Sequence, residues 1–228
     1  MTAKGLIASA GLLAVMAALS AWGWLATPEG AEFPVHWNAA GEADRVGGKA
    51  EAFLVMPGIG LLLTGLFAVA PHIDPRGRNL ARSFTAFLVG WIGVMVVLTL
   101  THLALVLAAT GVIESEGQAM PKLILLAVSA LLVVLGNVLG KARPNWFFGV
   151  RTPWSLSSDK AWDISHRWAG RAFVLAGIGG GAAVLLAPLE AAVAVFTTLA
   201  LLAALGPILI SYLVWRRDPD RETFSEEG

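Results

Sequence analysis

The sequence predicts an all-α, polytopic membrane protein: six transmembrane helices, both termini cytoplasmic, and a structured inner loop between helices 4 and 5. Three observations predict it. Hydrophobic residues make up 57% of the 228 residues, charged residues only 14%, and mean hydropathy is +0.72. Soluble domains carry about 25% charged residues. Six runs of membrane-spanning length lack Asp, Glu, Lys and Arg, and the basic residues fall unevenly on the two sides those crossings define.

The runs are 5–26, 52–71, 83–110, 123–140, 172–187 and 191–215. A bilayer core needs about 20 apolar residues as helix. A charge at its centre costs at least about 2.5–3.5 kcal/mol on insertion scales. The first run, with Lys4 ahead of it and small residues at 18–20, has signal-peptide features. Its apolar stretch exceeds the usual h-region of about 7–15 residues, so a retained helix is expected. The third run contains His102 and the fourth Asn137, and a polar residue inside a span is a functional candidate. The fifth is short and holds Gly177, Gly179, Gly180 and Gly181, so its helix is expected to begin earlier, inside the preceding loop. The spacings Gly136-x-x-x-Gly140 and Gly177-x-x-x-Gly181 would let helices approach closely, or let copies of the chain associate.

With the N-terminus inside, 13 of the 16 Lys and Arg residues lie on the inner side, and only Arg45, Lys49 and Lys122 lie outside; the acidic residues divide 8 and 8. The positive-inside rule counts the basic residues, so both termini are expected to be cytoplasmic. The chain divides into a half at 1–111, with an extracytoplasmic loop at 27–51, and a half at 112–228, with a cytoplasmic loop at 141–171. There is no internal repeat. The acidic tail, 218–228, is expected to fray.

Several functions are excluded or disfavoured. Equal numbers of basic and acidic residues argue against a nucleic-acid partner. The absence of cysteine closes disulfide, thiolate and Cys-ligated metal chemistry. No His-Glu-x-x-His or Gly-x-Ser-x-Gly motif occurs. No enzymatic activity and no cofactor are expected.

The loops carry more. In the outer loop His36, Asn38, Glu42 and Asp44 cluster, with turns expected at 38–41 and 47–48. His36, Glu42 and Asp44 could furnish a divalent-cation site, but the spacing matches no zinc or calcium loop. The plainer reading is that these groups satisfy loop backbone and cap the next helix. Trp22, Trp24 and Trp37 suit an interfacial belt.

The inner loop interleaves Trp146, Phe147, Phe148, Trp154, Trp162 and Trp168 with six basic residues, a mixture suited to the lipid headgroup layer. Prolines 144 and 153 make its first part irregular. Such backbone at membrane depth must bury its polar groups in protein, so it is expected to pack under the helices. From about Ser158 a helix is expected to run into the fifth span. Trp162, Ser165, His166 and Ala169 share one face of it. Lys160, Asp163 and Arg167 share another, with Asp163 and Arg167 an i,i+4 ion pair.

At these loops the chain resembles the SdpI family of bacterial membrane immunity proteins. The inner motif is Gly136-Asn137-x-x-Gly140-Lys141, Arg143-Pro144-Asn145, Gly149-Val150-Arg151-Thr152-Pro153-Trp154-Ser155-Leu156, then Trp162, His166-Arg167 and Gly170. The outer motif, Pro34-Val35-His36-Trp37-Asn38 with Gly41-Glu42-x-Asp44 and Lys49, is similar to the small membrane domain that often precedes the family signature. The resemblance implies residence in the bacterial cytoplasmic membrane. It implies protection against, or sensing of, a secreted peptide toxin that collapses the proton-motive force, met on the outer face. It also implies a repressor protein held at the inner face. The partners expected are thus the bilayer, a peptide toxin and a repressor. Ligand-binding candidates are Asn145, Arg151, Thr152, Trp154, Trp162, His166 and Arg167 inside, and His36, Trp37, Asn38, Glu42 and Asp44 outside. In the mechanism this suggests, Arg151 bonds phosphate or carbonyls, Asn145 holds the turn and Trp154 anchors the segment. The alternative is a membrane enzyme or transporter with a polar or divalent-ion site near the outer loop and His102.

Overall fold

The computed structural model describes residues 2–114 and 117–221. The six charge-free runs form six long helices: α1 (Thr2–Ala26), α2 (Lys49–Ile73), α4 (Phe84–Ala109), α5 (Ala119–Leu139), α7 (Asp159–Leu186) and α8 (Leu189–Arg216). Between them lie the strands β1 (Glu32–Trp37) and β2 (Ala43–Gly48) and the short helices α3 (Gly77–Arg82) and α6 (Pro153–Leu156). All six long helices are apolar enough to cross a membrane. Many of their large apolar side chains point outward, Leu25 and Leu186 being 85% and 87% exposed. Water would penalise that surface and lipid does not. The chain is a multi-pass membrane protein.

Helices α1, α2 and α4 pack together, as do α5, α7 and α8, and the α4–α5 contact joins the two groups. The first group centres on stacked aromatics: Phe67 and Trp91 lie nearly parallel with centroids 5.5 Å apart, and Phe87 meets both edge-on. Gly5 of α1 leaves room for the Trp91 ring, which would lie 2.4 Å from a Cβ there.

As expected, α7 begins well before the fifth charge-free run, starting at Asp159. The glycines do not break it, because each meets a neighbour. Gly177 meets Ser129 and Val133 of α5, and Gly179 and Gly180 meet Leu199 and Phe196 of α8. On α5, Gly136 faces the Gly170 carbonyl of α7. Both glycine spacings therefore lie on the α5–α7 seam.

Four expectations are corrected. The outer loop is not only turns: β1 and β2 pair antiparallel, with a register shift between Pro34 and His36. Pro34 has no N–H to donate, so the ladder is interrupted there. Gly47 and Gly48 are not a turn; they end β2 and lead directly into α2, with Gly48 as its N-cap and no side-chain cap. Asp163 and Arg167 form no ion pair; Arg167 Nε donates to the Asp163 carbonyl oxygen at 3.2 Å. Asp218 does not fray but is buried against α7. The rest of the predicted tail, 222–228, lies outside the described residues.

Candidate functional site

The six long helices alternate in direction, so one side of the bundle carries the hairpin and the other the aromatic loop. Each side has a built site.

On the hairpin side, Asn38 organises the turn. Its Oδ1 accepts from the Ala40 and Glu42 amides at 2.9 and 3.0 Å, and its Nδ2 donates to Glu42 Oε2 at 3.0 Å. Gly41, at φ +86°, lets the backbone close. His36 Nδ1 lies 2.5 Å from Asp44 Oδ1 across the strands. His36 and Asp44 thus engage each other and Glu42 engages Asn38. Among the described residues no group of three or more His, Asp and Glu side chains is arranged to hold a metal ion. Lys49, nearly buried, donates from Nζ to the Trp24 carbonyl at 2.9 Å and tethers the end of α1 to the start of α2. Phe33 packs its ring on Phe53, seating the hairpin on the helices. Between the hairpin strand and α5 runs a cleft of about 380 Å³. Val35, His36, Trp37 and Asn38 line one wall and Met120, Ile124 and Leu125 the other, with Thr101 and Leu105 of α4 and Val193 of α8 completing it. The lining is mostly apolar, and both helix groups contribute.

His102 is not in this cleft. It is fully buried, with Nε2 3.0 Å from Ser20 Oγ, which itself lies 2.9 and 2.5 Å from the Met16 and Phe53 carbonyl oxygens. The single serine proton goes to a carbonyl, so His102 Nε2–H donates to Ser20. This ties α1, α2 and α4 together. Asn137 is exposed near the end of α5 and donates to the Val133 carbonyl of its own helix at 2.8 Å. It is not a buried polar group inside the bundle, because the helix ends two residues later.

On the loop side, residues 142–158 pack under the helices. Asn145 is fully buried and uses its whole amide: Nδ2 donates to the Arg143 and Phe148 carbonyls, and Oδ1 accepts from the Phe147 and Phe148 amides. That turn drives Phe147 and Phe148 against the Phe67–Phe87–Trp91 cluster. Trp162 Nε1 donates to the Ala142 carbonyl at 2.8 Å. His166 stacks on Trp162, centroids 3.9 Å apart. Its Nε2 accepts from the Val150 amide at 2.9 Å, which fixes the proton on Nδ1, and Nδ1–H donates to the Trp162 carbonyl at 2.9 Å. Thr152 and Ser155 form a reciprocal cap on α6, and Thr152 Oγ1 reaches Ser211 Oγ of α8 at 2.9 Å. Trp154 meets Tyr212 of α8 edge-on. Arg151 is exposed and donates to the Trp146 carbonyl at 2.8 Å. Asn145, Thr152, Trp162 and His166 are thus internal fasteners, and Arg151 and Arg167 point outward.

Sequence reading missed the residues that hold this loop from outside. Asp74 accepts from the Arg76 amide at 2.7 Å and from the Trp146 amide at 3.1 Å; its position just before Pro75, ending α2, is an Asx-turn signal. Ser83 Oγ accepts from the Arg143 amide, and Arg76 donates to the Leu156 carbonyl. Ser158 caps α7 by accepting from the Ala161 amide, and donates to Asp218 Oδ2 at 2.5 Å.

That donation, first, holds the Asp218 carboxyl below its usual range, helped by the Asp220 amide and the charges of Lys160 and Arg221. A depressed carboxylate contributes stability above its unfolded pKa and loses it as pH falls through the folded value. The junction of α8 with α7 is therefore expected to stay closed down to below about pH 4, the unfolded aspartate value. Ser158→Ala removes both bonds, costs about 1–2 kcal/mol, and should open the junction at neutral pH. Hydrogen exchange at 214–221 reads this, and unchanged protection would refute it.

Comparison with known proteins places both sides. Residues 141–211 match the SdpI/YfhL protein family, and residues 11–61 match a domain of unknown function, DUF1648. Over 52 residues the chain is 35% identical to the immunity protein SdpI of Bacillus subtilis (strain 168), covering 23% of this chain and 25% of that protein. The match thus spans about a quarter of that relative's length. No solved structure matches. The aromatic loop with α7 and most of α8 falls in the first matched segment, and the hairpin with most of α1 and half of α2 falls in the second. The chain is thus a multi-pass membrane protein in which residues 141–211 are similar to the SdpI/YfhL family and residues 11–61 to DUF1648.

Proposed function

We propose that this chain is an immunity and sensing protein of the bacterial cytoplasmic membrane, with both termini inside, and that the hairpin cleft receives an apolar segment of a secreted peptide toxin. The cleft carries the reading. It is apolar, of a size for one or two large side chains, and walled by the hairpin on one side and by α5 and α8 on the other. A peptide seated there touches both helix groups at once. The 13-to-3 distribution of basic residues supports the orientation, putting the cleft outside. The similarity to a protein named for immunity supports the role.

The inner aromatic loop is the response element in this reading. It is fastened to α7 and α8, which run the full span, so a shift of α8 at the cleft is carried to Thr152 and Trp154. A repressor would meet the exposed polar rim formed by Asp159, Lys160 and Asp220, beside the half-buried Arg76, around a hollow of about 440 Å³. The alternative of a polar enzyme or transport site is not favoured, because His102 bonds Ser20 in the interior and His36 bonds Asp44.

Ile124→Trp fills the cleft without adding charge. Growth of toxin-exposed cells expressing it should fall to the level of cells without the protein, at matched membrane amounts, while Arg45→Gln, outside the cleft, keeps protection. Full protection by Ile124→Trp would remove the cleft from the mechanism.

A further inference from the structure

We propose that the groove between α5 and α7 at the loop side is a binding site for one anionic phospholipid. The groove has a volume of about 540 Å³. Lys141, Arg167 and Arg171 line it, and all three are exposed. No acidic residue lines it.

The charge there is uncompensated. Among the described residues the Lys and Arg ion pairs are Arg45–Glu51 and Lys49–Glu29, both on the hairpin side. The nearest acid on the same helix face, Asp163, meets Arg167 only through its backbone carbonyl. Three cations brought together without a counter-ion attract an anion.

The rest of the groove selects a lipid rather than a free anion. Its floor is backbone, at Gly136, Gly140 and Gly170, where the two helices come close enough that a Cβ on Gly136 would lie 2.5 Å from the Gly170 oxygen. From the cations it continues one turn deeper into the span to Val174 and Leu175, and Leu175 is 69% exposed. Trp168, half exposed with the Arg171 guanidinium 5.6 Å from its ring, marks the headgroup level beside it. A phosphate at the cations and an acyl chain along the glycine floor fill the groove end to end. The inference rests on the membrane fold and not on the immunity reading.

Native mass spectrometry of the full chain in detergent, given equal amounts of phosphatidylglycerol and phosphatidylcholine, tests it. Wild type should retain phosphatidylglycerol preferentially. Each cation near an anionic surface is worth about fivefold in affinity, so Lys141→Gln should weaken retention about fivefold. The triple variant Lys141→Gln/Arg167→Gln/Arg171→Gln should weaken it about a hundredfold. Arg216→Gln/Arg217→Gln, on the same side but outside the groove, should leave it unchanged. Monodisperse elution of each variant confirms folding, and Lys141→Gln alone suffices if the triple variant aggregates. Equal retention of both lipids by wild type, or equal loss in the Arg216/Arg217 control, overturns the site. Displacement by glycerol phosphate at the same concentration as the lipid overturns the lipid assignment.

Discussion

Gly149→Ala is expected to release the aromatic loop from α7. Gly149 has φ +112°, where L side chains are strained, and a Cβ there would lie 2.1 Å from His166 Nε2. The imidazole cannot retreat, because it is stacked on the buried Trp162 ring and bonded through Nδ1 to the Trp162 carbonyl. Backbone strain of about 1–3 kcal/mol adds to a lost buried hydrogen bond of about 1–3 kcal/mol, the one from the Val150 amide. The sum is large beside the marginal stability of most folds. Thermal unfolding in detergent should show a marked loss, and limited proteolysis should cut within 144–157. A double-mutant cycle separates the causes. His166→Ala removes the clashing ring, so Gly149→Ala should cost less in its presence than alone. Equal costs in both backgrounds would mean that the ring is not the obstacle.

Gly136→Val is expected to open the α5–α7 seam. Its Cβ would lie 2.5 Å from the Gly170 carbonyl oxygen and 2.8 Å from the Val174 amide nitrogen. Both are backbone atoms of a helix, so neither can rotate away, and the helices must separate along their length. Overpacking against side chains costs about 1–3 kcal/mol, and against rigid backbone the upper end applies. In a membrane the loss is not restored by hydrophobic burial, since close packing drives helix association there. Gly65 is the control: nothing lies within 4 Å of a Cβ at that position. Gly65→Ala should be neutral or stabilise by up to about 1 kcal/mol, the helix preference of alanine over glycine. Unfolding of the two variants in the same detergent gives the comparison, and equal stability would show that the seam is loose.

The helices were legible because lipid imposes a one-dimensional rule. A span must be long and uncharged, and that is visible in the order of residues alone. The early start of α7 was legible for a similar reason, since Trp162, Ser165, His166 and Ala169 repeat at helical spacing and are all buried. The hairpin was less so. Its turn at Asn38 and Gly41 is local and was read, but pairing Glu32 with Gly48 is not written in either segment. The fasteners of the loop were hidden by distance along the chain. Trp146 meets Asp74 across 72 positions and Ser158 meets Asp218 across 60; the Ser20–His102 tie between α1 and α4, across 82 positions, was hidden in the same way. The Asp163–Arg167 pair was a local expectation that failed, because a guanidinium near a helix surface can satisfy itself on a carbonyl and gains little from an exposed carboxylate. Among the candidate residues, motif membership alone did not separate fasteners from contact groups. Burial did: Asn145 and His166 are fully enclosed, while Arg151 and Arg167 are exposed.

The most direct measurement is of membrane potential. Toxin-sensitive bacteria expressing this chain, and the same cells without it, would receive the secreted peptide toxin that the SdpI-family resemblance implies. A potential-sensitive dye follows depolarisation. The expected result is a potential held in the expressing cells, and lost when Ile124→Trp replaces wild type at the same membrane level. Depolarisation of the wild-type cells at the rate and extent of cells without the protein would contradict the immunity reading.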